Sequence, residues 1–374
     1  MSGFVVKGWC PDAWRPMMAG DGLLVRVRPP LARLAAHQVE GLCEAANAHG
    51  NGQIDLTARA NLQLRGATER SWPPMVEALR ALGLVDPDPV REARGAILIN
   101  PDWREGDDSH GIATELRARL TDLPDLPSKI GFAIDAGPTP MLMEVPADFR
   151  IERGADGDLL LRADGRAAGM RVTRRTAADA LIRLAHWFVE SEGVAAGRMA
   201  RHAADLPDWA SGDAVPGAGG PPMRPGAHPA GAVYGLPFGR IGASALAAFV
   251  RSQGCVVRLT PWRLLIAEGL APRPATGMVL DDAPILHVDA CVGAPACPQA
   301  SVETRDLAAR LAPLIEGRLH VSGCAKGCAR ARAADWVLTG REGAFDLARH
   351  ARAGAAPLHT GLSPERAVAL LGAC

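Results

Sequence analysis

Lysine is almost missing from this chain: of its 41 basic residues only Lys7, Lys129 and Lys326 are lysines, and the rest are arginine. Tyrosine is scarcer still, with one residue against eight tryptophans. Neither sign of charge is in excess, because 41 acidic residues cancel the 41 basic ones. A general electrostatic pull toward nucleic acid or an anionic membrane is thereby excluded. No apolar run approaches the roughly 18–20 residues of a membrane span. The opening MSGFVVKGWCPDAWRP has no long apolar stretch behind its lysine, so it does not read as a secretory leader. The expectation is a cytoplasmic protein that engages neither membrane nor nucleic acid. With 48% apolar and 22% charged residues, the composition excludes a disordered chain, a coiled coil and a collagen-like fibre. At about 150 residues per domain, 374 residues suggest two or three domains with cores that need no staple.

What is present is arginine, and guanidinium groups grip carboxylates bidentately, so a ligand rich in carboxylates would be well met. Eight cysteines occur, and four of them crowd into two tight pairs. DACVGAPACPQAS carries Cys291 and Cys297 as C-x5-C, and HVSGCAKGCARA carries Cys324 and Cys328 as C-x3-C. Without an export signal these are metal-ligand candidates rather than a disulfide framework. A structural zinc uses closer C-x2–4-C pairs, whereas a C-x5-C loop leaves room for a larger group such as a [4Fe–4S] cluster. Gly293, Gly323 and Gly327 would let backbone approach that cluster and donate N–H bonds. AKGCARARAADW after the second pair reads as a helix whose N-terminal dipole would favour thiolates. Zinc and incidental thiols are the alternatives. Cys10, Cys43, Cys255 and Cys374 are scattered singly and read as plain thiols.

The stretch from Asp205 to Gly231 is Pro/Gly-rich, without period or aliphatic content, and reads as a linker between two halves. The halves repeat. In the first, a strand (Leu23–Val27), a helix from about Leu31 to His49 and a strand around Ile54–Leu64 follow one another. The same order recurs over roughly 232–269, with Leu56-Thr57 falling on Leu259-Thr260 and Gly66 on Gly269. Short buried strands are expected within 95–103 and 129–137, a helix over about 177–190 with Thr176 as its N-cap, a helix over about 304–315, and a hairpin across 336–348. The class is α+β, with the cysteine pairs confined to the second copy.

C-x5-C followed by G-C-x2-G-C-A-R, after a duplicated strand–helix unit bearing L-T-x-R-x-N-x-Q-L-R, resembles the sulfite/nitrite reductase superfamily over roughly residues 12–360. The resemblance implies a pseudo-twofold duplicated fold of ferredoxin-like half-domains at 12–80 and 232–276. Two αβ domains at 88–204 and 280–374 would flank the linker at 205–231. It also implies that Cys291, Cys297, Cys324 and Cys328 hold a [4Fe–4S] cluster, that Arg59, Arg94 and Arg65 line a tetrapyrrole pocket, and that Lys129 falls in the family's L-P-x-K segment, with Arg59, Arg94 and Lys129 as the catalytic candidates. In the reductases a second lysine follows two residues after the first; here Gly131 stands there, which weakens the case for sulfite or nitrite as substrate. The openings CPDAWRPMMAGDGLLVRVRP and LPFGRIGASAL, with LTPWRLLI, are most similar to the precorrin-3B synthase branch of aerobic cobalamin (vitamin B12) biosynthesis. That resemblance implies an oxidoreductase, a monooxygenase that uses O2 and a reductant to hydroxylate precorrin-3A at C20 with γ-lactone formation. It further implies a [4Fe–4S] cluster and a mononuclear non-haem iron.

The residues themselves fit a carboxylate-bearing ligand. Strand alternation predicts that Arg26 and Arg28 share one face, and that Arg59, Asn61, Gln63 and Arg65 share another polar face, a floor for a ligand or else a solvated sheet surface. Arg171, Arg174 and Arg175 could pair with further carboxylates or simply be basic loop residues. No 2-His-1-carboxylate spacing stands out among the ten histidines, so no ligands for a mononuclear iron are named. His287 and His320 are noted only because each lies four residues before a paired cysteine. No G-x-G-x-x-G follows a predicted strand, so electrons are expected from a separate donor, an NADH-linked reductase or a ferredoxin. Two other functions stay open at this point: a sirohaem-dependent sulfite or nitrite reductase, and a non-enzymatic electron carrier with no tetrapyrrole.

Overall fold

The computed structural model describes residues 10–372, so Cys374 lies outside the described residues. They form four five-stranded sheets, two pairs of alike topology.

The first half-domain has strands Met17–Ala19, Gly22–Val27, Gln53–Leu56 and Leu62–Ala67 with helix Ala36–His49 packed on one face. Alternation decides which face: Leu23, Val25, Val27, Ile54, Leu56 and Leu64 are buried against the helix side, while Leu24, Arg26, Asp55 and Gln63 point the other way. The second half-domain repeats this with Gly226–His228, Gly231–Gly235, Val257–Leu259, Leu264–Glu268 and helix Ala243–Gln253. The two exchange strands. Arg240–Gly242 completes the first sheet beside Gln53–Leu56, and Arg33–Leu34 completes the second beside Val257–Leu259. One apolar core therefore runs through both half-domains.

The exchange explains two departures from the sequence reading. The first helix starts at Ala36 rather than Leu31 because residues 30–34 make a short 3-10 turn and a strand. Leu31 and Ala32 there have φ of 54° and 55°, outside helical space. The strand expected across 54–64 is broken by a turn in which Thr57 N–H donates to Asn61 O at 2.9 Å. Ala60 at φ 52° forms its corner, and Arg263 at φ 61° forms the same corner in the second copy. The offset of the repeat is thus visible in backbone conformation as well as in residue type.

The αβ sheets repeat as well. Ile97–Ile99, Phe132–Asp135 and Phe149–Arg153 run parallel, followed by antiparallel Leu159–Ala163 and Met170–Val172. Val288–Ala290, Leu319–Ser322 and Ala334–Arg341 run parallel, followed by antiparallel Ala344–Ala351 and His359–Leu362. Helices Asp108–Ala118 and Ala177–Glu190 cover the first sheet, and Arg305–Leu311 and Pro364–Leu371 the second. The helix expected over 304–315 ends at Leu311, where Pro313 cannot continue it and a 3-10 turn follows. Thr176 stands at the N-cap position of Ala177–Glu190, but its hydroxyl accepts from Thr173 N–H instead of capping the helix.

Two further corrections bear on function. No helix follows the second cysteine pair: residues 323–333 are turns, bent at Gly327 (φ 64°), so no helix dipole backs those thiols. The Pro/Gly-rich segment expected as a linker at 205–231 packs on the first αβ sheet. Ala214 and Pro216 bridge to Gly169 and Gly154, and Gly226–His228 is an edge strand. Among the described residues, no helix is long and apolar enough to cross a membrane.

Candidate functional site

The half-domains and αβ domains pair crosswise. The tight turn before Gly22–Val27 presses on the first cysteine loop, where Gly20 N–H donates to Ala296 O at 2.9 Å. A Cβ on Gly20 would sit 2.6 Å from Pro295 O, so only glycine permits that approach. The polar face of the first sheet therefore looks toward the cysteine-bearing domain. The matching turn of the second half-domain, Pro229–Ala230, instead borders a cavity of about 840 Å³ against Asn100, Asp102 and Gly137–Thr139 of the first αβ domain.

The cysteine loops are held by their own backbone. Cys291 follows the strand Val288–Ala290, and Cys324 lies two residues past Leu319–Ser322, its parallel neighbour. Cys297 N–H donates to Gly293 O at 2.8 Å, Ser301 N–H to Gly323 O at 3.0 Å, and Thr304 Oγ1 to Cys291 O at 2.6 Å. Gly323 N–H points at Cys291 Sγ at 3.2 Å, the kind of donor that steadies a cluster thiolate. Burial pushes the Cys328 thiol up, Lys326 opposes this, and Cys291, Cys324 and Cys297 push it up further, so the four sulfurs act on one another. Among the described residues none of the cysteines is in a disulfide. Nor are three His, Cys, Asp or Glu side chains grouped so as to hold a single metal ion.

On the sheet face, Arg26, Gln63, Asp55 and Arg240 lie in one cross-strand row. Arg26 Nε is buried without a partner, and burial first and Arg28 second draw its pKa down. Arg65 is committed: it forks onto Asp21 at 2.7 and 2.6 Å and lies 3.5 Å from Asp55. Arg28 is paired with Glu92 at 3.1 Å. Arg240 reaches Asp55 at 2.8 Å, and Arg305, from the first turn after the cysteine loop, approaches Asp55 at 3.7 Å. Arg305 keeps Nε and Nη1 buried and unpartnered, and burial draws its pKa down to about 10.

Arg59 does not sit on the strand with Gln63 and Arg65 as alternation suggested; it lies in the turn 57–61, as the break at Ala60 requires. There its Nη2 donates to Lys129 O at 2.9 Å, and Arg198 Nη1 donates to the same carbonyl at 2.8 Å. Burial, then Arg198, lowers the Arg59 pKa. Asp148, fully buried, ties this corner together by accepting from Gly131 N–H and Met199 N–H and pairing with Arg198 at 3.1 Å. Asn61 ends the same turn. Lys129 is exposed beside it. Arg94 is elsewhere engaged, on Asp125 at 2.8 Å and the carbonyls of Leu120 and Thr121, so it offers the pocket no free donor face. Arg171 is likewise consumed at the surface by Asp156 and Asp213, and Arg174 by Gly106 O.

Neither noted histidine is grouped with ligands. His287 pairs with Asp282 at 3.0 Å. His320 is fully buried with both ring nitrogens unpartnered, and burial takes its pKa down to about 4 against the pull of Asp289. Sequence reasoning missed Asp55, Arg240, Arg305 and Arg198. Strand exchange brings Arg240 and domain contact brings Arg305, which stands just eight residues after Cys297, whereas Asp55 lies on the first sheet's own strand and Arg198 meets Lys129 within the first αβ domain.

A family model, the nitrite/sulfite reductase ferredoxin-like half domain, matches residues 15–82. The NirA protein of Mycobacterium tuberculosis has the same fold at a TM-score of 0.58 and 18% identity, over 94% of this chain and 79% of that one. A ferredoxin–nitrite reductase of Synechococcus elongatus is 25% identical over 89% of this chain and 78% of its own length. Fold and half-domain thus define a protein of the sulfite/nitrite reductase superfamily. A precorrin-3B synthase from Sinorhizobium sp. is 31% identical over 94% of this chain and 84% of its own length. The chain belongs to the precorrin-3B synthase family.

Proposed function

We propose that the chain is an oxidoreductase that hydroxylates precorrin-3A at C20 with O2, a ring acetate closing the γ-lactone. In such a monooxygenation one oxygen atom enters the substrate. The other leaves as water, with two electrons and two protons from an external donor, an NADH-linked reductase or a ferredoxin. The observation that carries the reading is the surplus of guanidinium groups on the first sheet's polar face, directly against the cysteine loops. Precorrin-3A is a polycarboxylate, and charge-assisted bidentate bonds are what arginine adds over lysine.

Four thiols with an N–H already aimed at one of them fit a [4Fe–4S] cluster, so Cys291, Cys297, Cys324 and Cys328 would hold it. When bound, it supplies single electrons. The residues do not fit a mononuclear iron in the same way, since no three suitable ligands are grouped among the described residues, and no step is derived through one. The protein's own part is to bind and orient: Arg26, Gln63 and Arg240 form the floor. Asp148 and Arg198 hold the Lys129 loop, and Arg59 closes that edge beside Arg28 and Asn61.

Sirohaem-dependent reduction of sulfite or nitrite is a second reading, favoured by the cluster of Arg59, Arg198 and Lys129 around one carbonyl. One experiment separates the two. Anaerobically purified protein should show broad iron–sulfur absorbance, release no macrocycle into solvent and, with an electron donor present, consume O2 only when precorrin-3A is added. Extracted sirohaem with turnover of sulfite or nitrite would overturn the oxygenase.

A further inference from the structure

The first sheet's face carries positive charge at both ends, and the two ends are differently built. Arg26 and Arg240 are separated by the strands bearing Gln63 and Asp55, three inter-strand spacings, or about 14 Å. At the near end stand Arg26, Arg28 and Arg59. At the far end Arg65, Arg240 and Arg305 surround Asp55, and Asp21 occupies Arg65 alone. One guanidinium there is left without a counter-charge, and Arg305 is the one with two buried, unpartnered N–H groups. A buried charge with idle donors is costly, and water can fill donors without cancelling charge.

The repeat supplies an internal control. At the corresponding place in the second sheet, Arg33 forks onto both oxygens of Glu268 at 2.8 Å. Arg258 shares that carboxylate, and its Nη1 donates to the carbonyls of Pro101 and Trp103. Two guanidiniums there share one carboxylate, so the surplus charge alone does not distinguish the sheets; the idle donors do, since neither Arg33 nor Arg258 has a buried N–H without a partner and Arg305 has two.

We infer that Arg305, supported by Arg240, grips a side-chain carboxylate at the edge of the tetrapyrrole that lies nearest the cysteine loops, opposite the Arg26–Arg59 end. This rests on the tetrapyrrole reading above and adds the residue that selects a macrocycle with carboxylates on both edges. Arg305 acts through its planar fork, so lysine substitutes for it only in part.

The test is titration of the full chain with uroporphyrin, a macrocycle carrying eight carboxylates, read by fluorescence quenching. Arg305→Met should raise Kd by roughly tenfold to a hundredfold, the range for a lost charged hydrogen-bond pair. Arg305→Lys should fall between that variant and the parent. Arg33→Met, at the second sheet's counterpart of Arg240, should leave Kd unchanged. Visible absorbance of the bound cluster should persist in all three. An unchanged Kd in Arg305→Met overturns the inference, and loss of cluster absorbance with unchanged Kd would assign Arg305 to the cysteine loop instead. Failure of the parent chain to bind any tetrapyrrole would remove the functional reading and the inference with it.

Discussion

The two half-domains share strand order, corner conformation and core, yet their outward faces have opposite chemistry. The first presents Arg26, Gln63, Asp55 and Arg240 in a row. By the same registers the second presents Val233, Ile266, Arg258 and Arg33, so its first two positions are apolar. Val233 and Ile266 are fully buried beneath Met223 of the Pro/Gly-rich segment and Met141 of the first αβ domain. One face is kept polar and short of partners; the other is plugged by the protein's own side chains. The αβ domains differ in the same sense. Where the second places cysteines beyond its parallel strands, the first places Asn100 and Asp135, joined by a 2.7 Å hydrogen bond. Packing fills the apolar end of the second face, while the cavity of about 840 Å³ lies at its other edge, beside Arg258 and Glu268.

The comparison can be broken most severely at the cysteines. Serine at any of Cys291, Cys297, Cys324 or Cys328 should abolish the iron–sulfur absorbance and lower the Tm of the protein. Intact absorbance in one variant would remove that residue from the ligand set. Val233→Arg places a charge under the plug and should cost about 3–5 kcal/mol of stability by urea unfolding without creating a second ligand site. A stable variant that gained tetrapyrrole affinity would contradict the plugged-face account. The reverse conversion, Arg26→Val with Gln63→Ile, should weaken tetrapyrrole binding by about a hundredfold while cluster absorbance stays, a loss of about 3 kcal/mol. Unaltered affinity would move the ligand off this face.

The smallest effect concerns Asp135. Burial lifts its pKa to about 6, even though it accepts from Asn100, Met141 and Leu142. The folded chain thus binds this proton more tightly than the unfolded chain, whose carboxyl titrates near 3.9. Its contribution is fully present below about pH 4 and is lost as pH rises through about 6, amounting to roughly 2–3 kcal/mol. Parent and Asp135→Asn should therefore differ in the pH dependence of their urea midpoints between pH 4 and 6 and run parallel above it. Parallel curves throughout would show that Asp135 titrates as it does when unfolded.

Much of this organisation is legible in the sequence, because duplication and paired cysteines are local patterns. The 57–61 corner was not, since Ala60 at φ 52° carries no residue signature and tertiary pairing on both sides forces it. The helix expected over AKGCARARAADW, residues 325–336, fails for a readable reason, the left-handed Gly327 inside it, and the strand Ala334–Arg341 takes up its last residues. Arg94 and Arg65 look like free pocket cations until Asp125 and Asp21 are seen beside them. Arg240 and Arg305 are invisible as site residues because strand exchange and domain contact, not spacing, carry them to Asp55.

The central claim is that one face, not two, takes the ligand, and that it does so against the cysteine loops. Its most direct test is the stoichiometry of tetrapyrrole binding to the cluster-loaded chain, measured by titration with uroporphyrin. The account predicts one macrocycle per chain, bound about a hundredfold more weakly in Arg26→Val with Gln63→Ile. Two macrocycles per chain, or one bound with unchanged affinity after that double substitution, would contradict it.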